Sequence, residues 1–250
     1  SPSPAADLAT ANAPDAGPGP AWRLGAPAPE ARTEVAAAPL GGRIYLVGGL
    51  AASGGTRRVD VYDLQGDRWA AGPALPEAAP RHHLAIAADG ARIYVLGGFI
   101  GSSFTPTARS WILDGQAWRE GAVQPLARGA ATAQAIGGQI YVAGGALDGG
   151  KATAETYRYD PAADRWQRLA PMKVPREHVA SCALGQRLFV SGGRADSADA
   201  RAAEIYDVAR DEWTRVADQP TARSGLGAAA IGDLCHVFGG ERLDGQLPGT

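Results

Sequence analysis

The sequence predicts an all-β fold in which one antiparallel unit recurs along most of the chain. Three observations support this prediction: five segments share one strand pattern, a pair of aromatic residues recurs between them, and turn-forming residues are abundant. The 250 residues include 34 glycines and 18 prolines, and 45% of them are hydrophobic. This composition is typical of many short strands joined by tight turns around an apolar core.

The repeat is visible in the spacing of arginines and glycine pairs. An arginine opens each of the five segments, at Arg32, Arg81, Arg128, Arg176 and Arg223. The first glycine of a pair follows each arginine by sixteen residues, at Gly48, Gly97, Gly144, Gly192 and Gly239. The intervals between arginines are 49, 47, 48 and 47 residues, which indicates supersecondary units that stack on one another.

A second half-unit follows each of the first four segments. It ends at a tryptophan, namely Trp69, Trp118, Trp166 and Trp213. Seven residues before each tryptophan stands another aromatic residue, namely Tyr62, Trp111, Tyr159 and Tyr206. Turn residues lie between the two aromatics, so each half-unit is predicted to be a hairpin.

Over residues 22 to 240 the chain resembles the kelch-repeat family. The resemblance lies in a glycine pair that closes an IYLVGG-like strand, followed by Tyr-Asp and by a tryptophan at fixed spacing. The resemblance implies a kelch-type β-propeller of four-stranded antiparallel blades, with strands a to d, around a central channel. The residues agree with it. Strand a is rich in alanine and glycine, as suits the crowded axis; strand b is apolar on both faces; and the large rings fall in strands c and d, where the wedge widens.

The repeats place the propeller at residues 21–250, after a Pro/Ala-rich leader at residues 1–20 that we expect to be flexible. Trp22 has the register of a strand d tryptophan, so residues 21 to 25 are predicted to form a lone strand d. The fifth repeat is incomplete. The chain is therefore a fragment of a six-bladed ring, a five-bladed ring in which residues 6 to 10 supply strand c, or an open ring.

Composition limits the partners and the compartment. The net charge of -2 gives no basic patch for nucleic acid, and no apolar run is long enough to span a bilayer. The leader and the arginine-rich, lysine-poor composition favour a secreted or periplasmic bacterial protein, expected to be a monomer. Cys182 stands at an alanine position of strand a and Cys235 at an isoleucine position of strand b, where a buried small hydrophobic residue is expected. A disulfide between these successive blades stays open as the less favoured alternative.

Function is expected on the face where strand a begins and strand b ends, because the residues after each arginine and after each glycine pair meet there. The loops on this face vary while the scaffold repeats. The predicted ligand-binding residues are Glu34, Leu50, His82, His83, Phe99, Phe104, Glu177, His178, Arg194 and Glu241. Phe99 and Phe104 are candidate partner contacts, although either could instead pack beneath its loop.

Other residues of this face are assigned to the scaffold. The five arginines are predicted to bond to carbonyl groups at the blade junctions rather than to form an anion site. His82, His83 and His178 are expected on opposite sides of the channel, too far apart for a metal, so neither metal nor cofactor is predicted. His236 replaces a strand b tyrosine and is expected to be packed and hydrogen-bonded.

The sequence contains no nucleophile–base pair or phosphate loop, so no catalytic residue is assigned. The sequence predicts a binding module that captures a protein segment or a glycan on the face where strand a begins and strand b ends. Kelch relatives also include two kinds of enzyme. Copper radical oxidases need a Tyr–Cys crosslink, which the positions of Cys182 and Cys235 do not allow. A secreted carbohydrate-active enzyme similar to sialic acid mutarotases remains the alternative, with Glu34, Glu177, His178 and Arg194 as its polar groups.

Overall fold

The structure, a computed structural model, describes residues 24–76, 80–195 and 198–245. The described residues form β-strands and turns, with one short 3-10 turn at Asp148–Gly150. The predicted leader and residues 6 to 10 lie outside the described residues. Within the described ranges, no helix has the length and apolar character needed to cross a membrane.

The strands assemble into four complete blades and a fifth, two-stranded sheet. In each complete blade, strands a, b, c and d are neighbours in that order and all pairs are antiparallel. The blade 1 strands are Ala36–Leu40, Arg43–Val47, Val59–Asp63 and Arg68–Ala71. The blade 2 strands are Ala85–Ala88, Arg92–Leu96, Ser110–Asp114 and Ala117–Gly121. The blade 3 strands are Thr132–Ile136, Gln139–Ala143, Thr156–Asp160 and Arg165–Leu169. The blade 4 strands are Ala180–Leu184, Arg187–Ser191, Ala203–Asp207 and Glu212–Val216. Blade 5 has strands a and b only, Ser224–Ile231 and Leu234–Glu241.

The layering of side chains follows the predicted wedge. Strands a of successive blades pack together and line a central cavity of about 390 Å³ that includes Ala87, Ala183 and Ala229. Small residues are required there because the blades converge at the axis. Strand b of blade 2 is buried from Ile93 to Leu96, as expected for a strand covered on both faces.

The tryptophans of strands d join neighbouring blades. Each indole Nε1 donates to a backbone carbonyl that follows the strand d position of the preceding blade; for Trp118, for example, the acceptor is Pro73 O at 2.7 Å. Trp69 uses Ala26 O in the same way, at 2.9 Å. The segment after Trp22 therefore keeps the register of a preceding strand d, although Leu24 and Gly25 are not in a strand and residues 21 to 23 are not described.

The arginines and glycine pairs form the blade junctions, which confirms the predicted scaffold role. In every repeat, arginine Nη1 donates to the carbonyl of the glycine sixteen residues later, at 2.7 to 2.9 Å. The next glycine then donates its N–H to the carbonyl of the following blade's arginine, as Gly145 does to Arg176 at 2.9 Å. Because the side chains of Arg81, Arg128 and Arg176 are fully buried, they are not available to an anion.

Gly144→Ala is expected to lower the free energy of unfolding by about 3 kcal/mol, through positive-φ strain plus overpacking. Gly144 has φ +66°, and an added Cβ would lie 2.5 Å from the carbonyl oxygen of Arg176. Gly138→Ala is the matched control, because Gly138 also has positive φ but its Cβ would meet no atom within 4 Å. Urea unfolding of both variants measures the difference, and equal losses would contradict a tight junction at Gly144.

Blade 5 departs from two predictions. Cys182 and Cys235 form a disulfide between strand a of blade 4 and strand b of blade 5, with Cα atoms 5.8 Å apart, so the unbonded reading was wrong. His236 is exposed rather than packed, because the described residues provide no strand that covers this face of blade 5. No strand pairing joins blade 5 to blade 1 within the described ranges, so closure of the ring stays a prediction.

Candidate functional site

The start of strand a and the end of strand b meet on one face, as the repeat predicted. Short backbone ladders join the residue after each arginine to the residue after each glycine pair. These pairs are Thr33 with Leu50, His82 with Phe99, Gly129 with Ala146, Glu177 with Arg194, and Ser224 with Glu241. We call this face the rim. The ladders fix the rim backbone and so determine which side chains can turn into the channel.

The second residue after each arginine turns into the channel mouth. These residues are Glu34, His83, Ala130, His178 and Gly225, and all have φ between +52° and +60°. Successive members are linked by backbone hydrogen bonds, for example from Ala130 N to His83 O and from His178 N to Ala130 O, both 2.9 Å. A left-handed backbone conformation is costly for a residue with a side chain. Here the hydrogen bonds between successive members hold that conformation in every repeat.

The channel mouth is a cavity of about 430 Å³ that brings together Glu34, His83 and His178. The imidazole centroids of His83 and His178 are 4.8 Å apart, and His83 Nε2 is 3.1 Å from Glu34 Oε2. The expectation that channel width separates these histidines is therefore wrong. The left-handed turn directs both rings inward at a point where the ring of blades is narrow.

Burial weakens the charged forms of all three groups. It lowers the pKa of His83 to about 3, with further contributions from His178, His82 and Arg194. Burial, followed by the charge of Arg194, lowers the pKa of His178 to about 4. The pKa of Glu34 is raised by burial and by Glu241, and Arg194 partly opposes this effect. Both imidazoles are therefore neutral at pH 7.

Two further residues support the histidines from behind. His82 is fully buried, its Nδ1 contacts His83 Nδ1, and its Nε2 lies 3.1 Å from the carbonyl oxygen of Ser103. Glu177 is also buried, and its carboxylate contacts His178 Nδ1. These two predicted site residues therefore orient the groups at the mouth rather than facing the channel themselves.

Arg194 and Glu241 complete the charges of the mouth. Arg194 pairs with the exposed carboxylate of Glu241, donates from Nε to Ser224 Oγ at 3.1 Å, and lies 3.8 Å from Glu177 Oε1. Three carboxylates, those of Glu34, Glu177 and Glu241, thus accompany one guanidinium. With neutral imidazoles, the channel mouth has a net negative charge.

A second cavity of about 580 Å³ adjoins the mouth and shares His178 with it. Phe99 is 3% exposed and packs with Ala130 and Ala146 while its ring also lines this cavity, whereas Phe104 is 62% exposed. Sequence reasoning missed Lys151 and Leu243, which also line this cavity. Both stand in the variable loops after strand b, which was the available signal. Leu50 is half-buried in its ladder and lines neither cavity.

Comparison with known families agrees with the geometry of the blades. Residues 74–240 match the family described as the KLHDC2/KLHL20/DRC7 Kelch-repeats domain. Residues 31–76 match the Kelch motif. The chain belongs to the kelch-repeat family. Kelch repeats typically form protein-interaction modules, and this kelch chain has the blade architecture such modules use.

The curated kelch relatives are similar over limited stretches. Kelch-like protein 4 of Homo sapiens is 56% identical over 36 residues, 14% of this chain and 5% of that protein. Kelch repeat protein M-T8 of Myxoma virus is 29% identical over 165 residues, 66% of this chain and 32% of that protein. Beta-scruin of Limulus polyphemus is 43% identical over 54 residues, 22% of this chain and 6% of that protein. The matches thus span a third or less of these relatives, which are eukaryotic or viral, and a bacterial origin stays a prediction.

Proposed function

We propose that this kelch chain binds a segment of a partner protein at the rim, with the second cavity as its principal contact. The observation that carries the proposal is Phe104, a large aromatic side chain that is 62% exposed at a concave site. Aromatic side chains at the edge of a pocket are frequent anchors of protein interfaces. His82 and Phe99 contact the Phe104 ring, with centroids 5.3 Å away in both cases, so the ring is held in place before a partner arrives.

The chemistry of the cavity favours a segment with both apolar and acidic side chains. Phe104 and the 51% exposed Leu243 offer apolar surface, while Lys151 offers positive charge; the charge of Arg194 is already paired with Glu241. A volume of about 580 Å³ accommodates a few side chains rather than a folded domain. An acidic residue of the partner would pair with Lys151, which has no carboxylate partner among the ion pairs of the described residues.

The experiment starts from the protein alone, because the partner is unidentified. Random peptides displayed on phage are selected against the oxidised protein, and the selected peptides are measured by calorimetry. Phe104→Ala is expected to weaken binding by at least about tenfold, the effect of removing one aromatic anchor. Phe238→Ala is the matched control, because Phe238 is 57% exposed but lies on strand b of blade 5, away from the cavity.

Two outcomes would contradict the assignment of the second cavity as the binding site. If Phe104→Ala leaves peptide binding unchanged, or if Phe238→Ala weakens it equally, the second cavity is not the binding site. A parallel screen with sialic acid and galactose tests the glycan alternative. Binding of a sugar that Phe104→Ala abolishes, without any peptide binding, would replace the protein segment by a glycan.

The enzyme alternative has one specific observation in its favour. A carboxyl group with a raised pKa lies beside neutral imidazoles in an open cavity, which is an arrangement suited to proton transfer. Exchange between the anomers of sialic acid, followed by NMR, distinguishes the two functions. The binding role predicts no acceleration by the protein, and an acceleration lost in Glu34→Gln would establish a mutarotase instead.

The disulfide bears on the compartment. Cys182 and Cys235 are the only cysteines of the chain, and their bond persists in oxidising environments such as the periplasm or the exterior of the cell. This supports the expected secreted or periplasmic location and belongs to the same proposal.

A further inference from the structure

The hydrogen bonds behind the channel mouth determine which ring nitrogen of each histidine carries a proton. His82 Nε2 lies 3.1 Å from the carbonyl oxygen of Ser103, which can only accept, so Nε2 carries the proton. The Nδ1 atom of this neutral ring is then an acceptor, and the His83 Nδ1 atom that contacts it donates. His83 Nε2 is consequently left with a lone pair, and it points toward Glu34, 3.1 Å from Oε2.

His178 reaches the same state by a different route. The Glu177 carboxylate contacts His178 Nδ1 and can only accept, so Nδ1 carries the proton. The lone pair of His178 is therefore on Nε2, which lies 3.9 Å from the same Glu34 oxygen. Three acceptors thus face one another: two imidazole nitrogens and a carboxylate.

The facing lone pairs of these three acceptors repel one another, and a cation that all three coordinate removes the repulsion. The ligand atoms of Glu34, His83 and His178 all lie within 4.8 Å of one another. The ligand atoms of one tetrahedral zinc ion are about 3.3 Å apart. Side-chain rotations that move these three atoms by about an ångström therefore bring them to the spacing that a shared ion requires.

We propose that Glu34, His83 and His178 bind a divalent transition-metal ion at the channel mouth. Two imidazoles and one carboxylate are a donor set suited to Zn²⁺ and its neighbours. The outer hydrogen bonds match those of metal-bound histidines, which donate the second ring N–H to a carboxylate or a backbone carbonyl. His178 does so directly to Glu177, and His83 does so through His82.

The site resembles an open rather than a closed metal centre. The protein supplies three ligands, and the cavity of about 430 Å³ leaves room for water or an anion at the remaining positions. No thiol competes for the metal, because both cysteines of the chain are in the disulfide. The metal site shares His178 with the second cavity, whereas Glu34 and His83 line the mouth only, so Glu34→Gln tests metal binding without changing a residue of the peptide site.

Titration of metal-stripped, oxidised, tag-free protein with Zn²⁺ tests the proposal by calorimetry. One ion is expected per chain, and Glu34→Gln, His83→Ala and His178→Ala are each expected to weaken binding by at least about tenfold. Two matched controls, His236→Ala and Glu212→Gln, change exposed residues away from the mouth and should leave the affinity unchanged. Glu34→Gln is nearly isosteric and partly exposed, so it keeps the test valid if a histidine variant fails to fold.

A second measurement reports the ligand atoms. Proton–nitrogen correlation spectra of the histidine rings should show Nδ1–H tautomers for His83 and His178 without metal, and a shift of both Nε2 resonances when Zn²⁺ is added. Failure to bind Zn²⁺, affinity unaffected by the three variants, equal losses in the controls, or Nε2–H tautomers in the metal-free protein would each overturn the proposal. A proton held on Glu34 would then fill the gap between the acceptors.

Discussion

Arg176→Ala is expected to lower the free energy of unfolding by about 3–5 kcal/mol, the cost of leaving one charge of a buried pair without its partner. The side chains of Arg176 and Glu204 are both completely buried, and Arg176 Nη2 donates to Glu204 Oε1 at 2.8 Å. Arg176 also donates to the carbonyls of Gly192 and Ala202, which would lose a donor as well. Chemical denaturation with a fluorescence readout measures the loss.

Arg223→Ala is the matched control for this prediction. Arg223 makes the same bond, to Gly239 O at 2.7 Å, but does so at the exposed end of the repeat series. Its loss is expected to cost about 1 kcal/mol or less, the net value of one accessible hydrogen bond. Similar losses for Arg176→Ala and Arg223→Ala would show that burial and the pairing with Glu204 contribute little.

Removal of the disulfide is expected to lower the free energy of unfolding by about 4 kcal/mol, because the bond constrains the unfolded chain. The bonded cysteines are 53 residues apart in sequence, and they tie blade 5, which the described residues cover on one side only, to blade 4. Cys182→Ser/Cys235→Ser measures this loss in denaturant. Hydrogen exchange should show that the amides of Ser224–Ile231 and Leu234–Glu241 lose protection first.

Reducing agent provides the control for the disulfide. Dithiothreitol should destabilise the natural sequence about as much as the double substitution does, and it should have no effect on the double variant. If the double variant is as stable as the oxidised natural sequence, blade 5 is held by packing alone and the disulfide has no structural role.

The parts of the structure that repeat were predictable from one sequence. Arginine and the glycine pair recur in phase because each blade junction needs the same two hydrogen bonds, as Arg128 shows with Gly144 O. Alanines recur in strand a because every blade narrows at the axis. A feature that each blade requires is therefore visible as a period, and the rim followed from the antiparallel pairing of strands a and b.

The features that depend on the radius of the ring could not be predicted. The repeat indicates that His83 and His178 occupy equivalent positions, but it carries no information about the distance across the channel, which is set by how closely the strands a pack. Their convergence, with ring centroids 4.8 Å apart, also needs the left-handed backbone after each arginine. Nothing in the local sequence of a histidine or glutamate indicates that conformation.

Contacts that occur in one blade only could not be predicted from the repeat pattern either. The burial of Phe99 depends on Gly129, where an added Cβ would lie 2.5 Å from the Phe99 ring, so a side chain there would displace it. The exposure of His236 depends on what covers blade 5, which its position in the repeat does not reveal. Such contacts involve residues present once, and periodicity carries no signal for them.

The most direct test of the account is a nuclear Overhauser measurement between the imidazole protons of His83 and His178. The chain has four histidines, so substitution of each in turn assigns the ring signals. Because blades 2 and 4 meet at the narrow channel mouth, a cross-peak between the rings of His83 and His178 is predicted, together with none from His236 to either. Rings that show no mutual contact in the folded, oxidised protein would contradict the convergence on which both the channel mouth and its metal site depend.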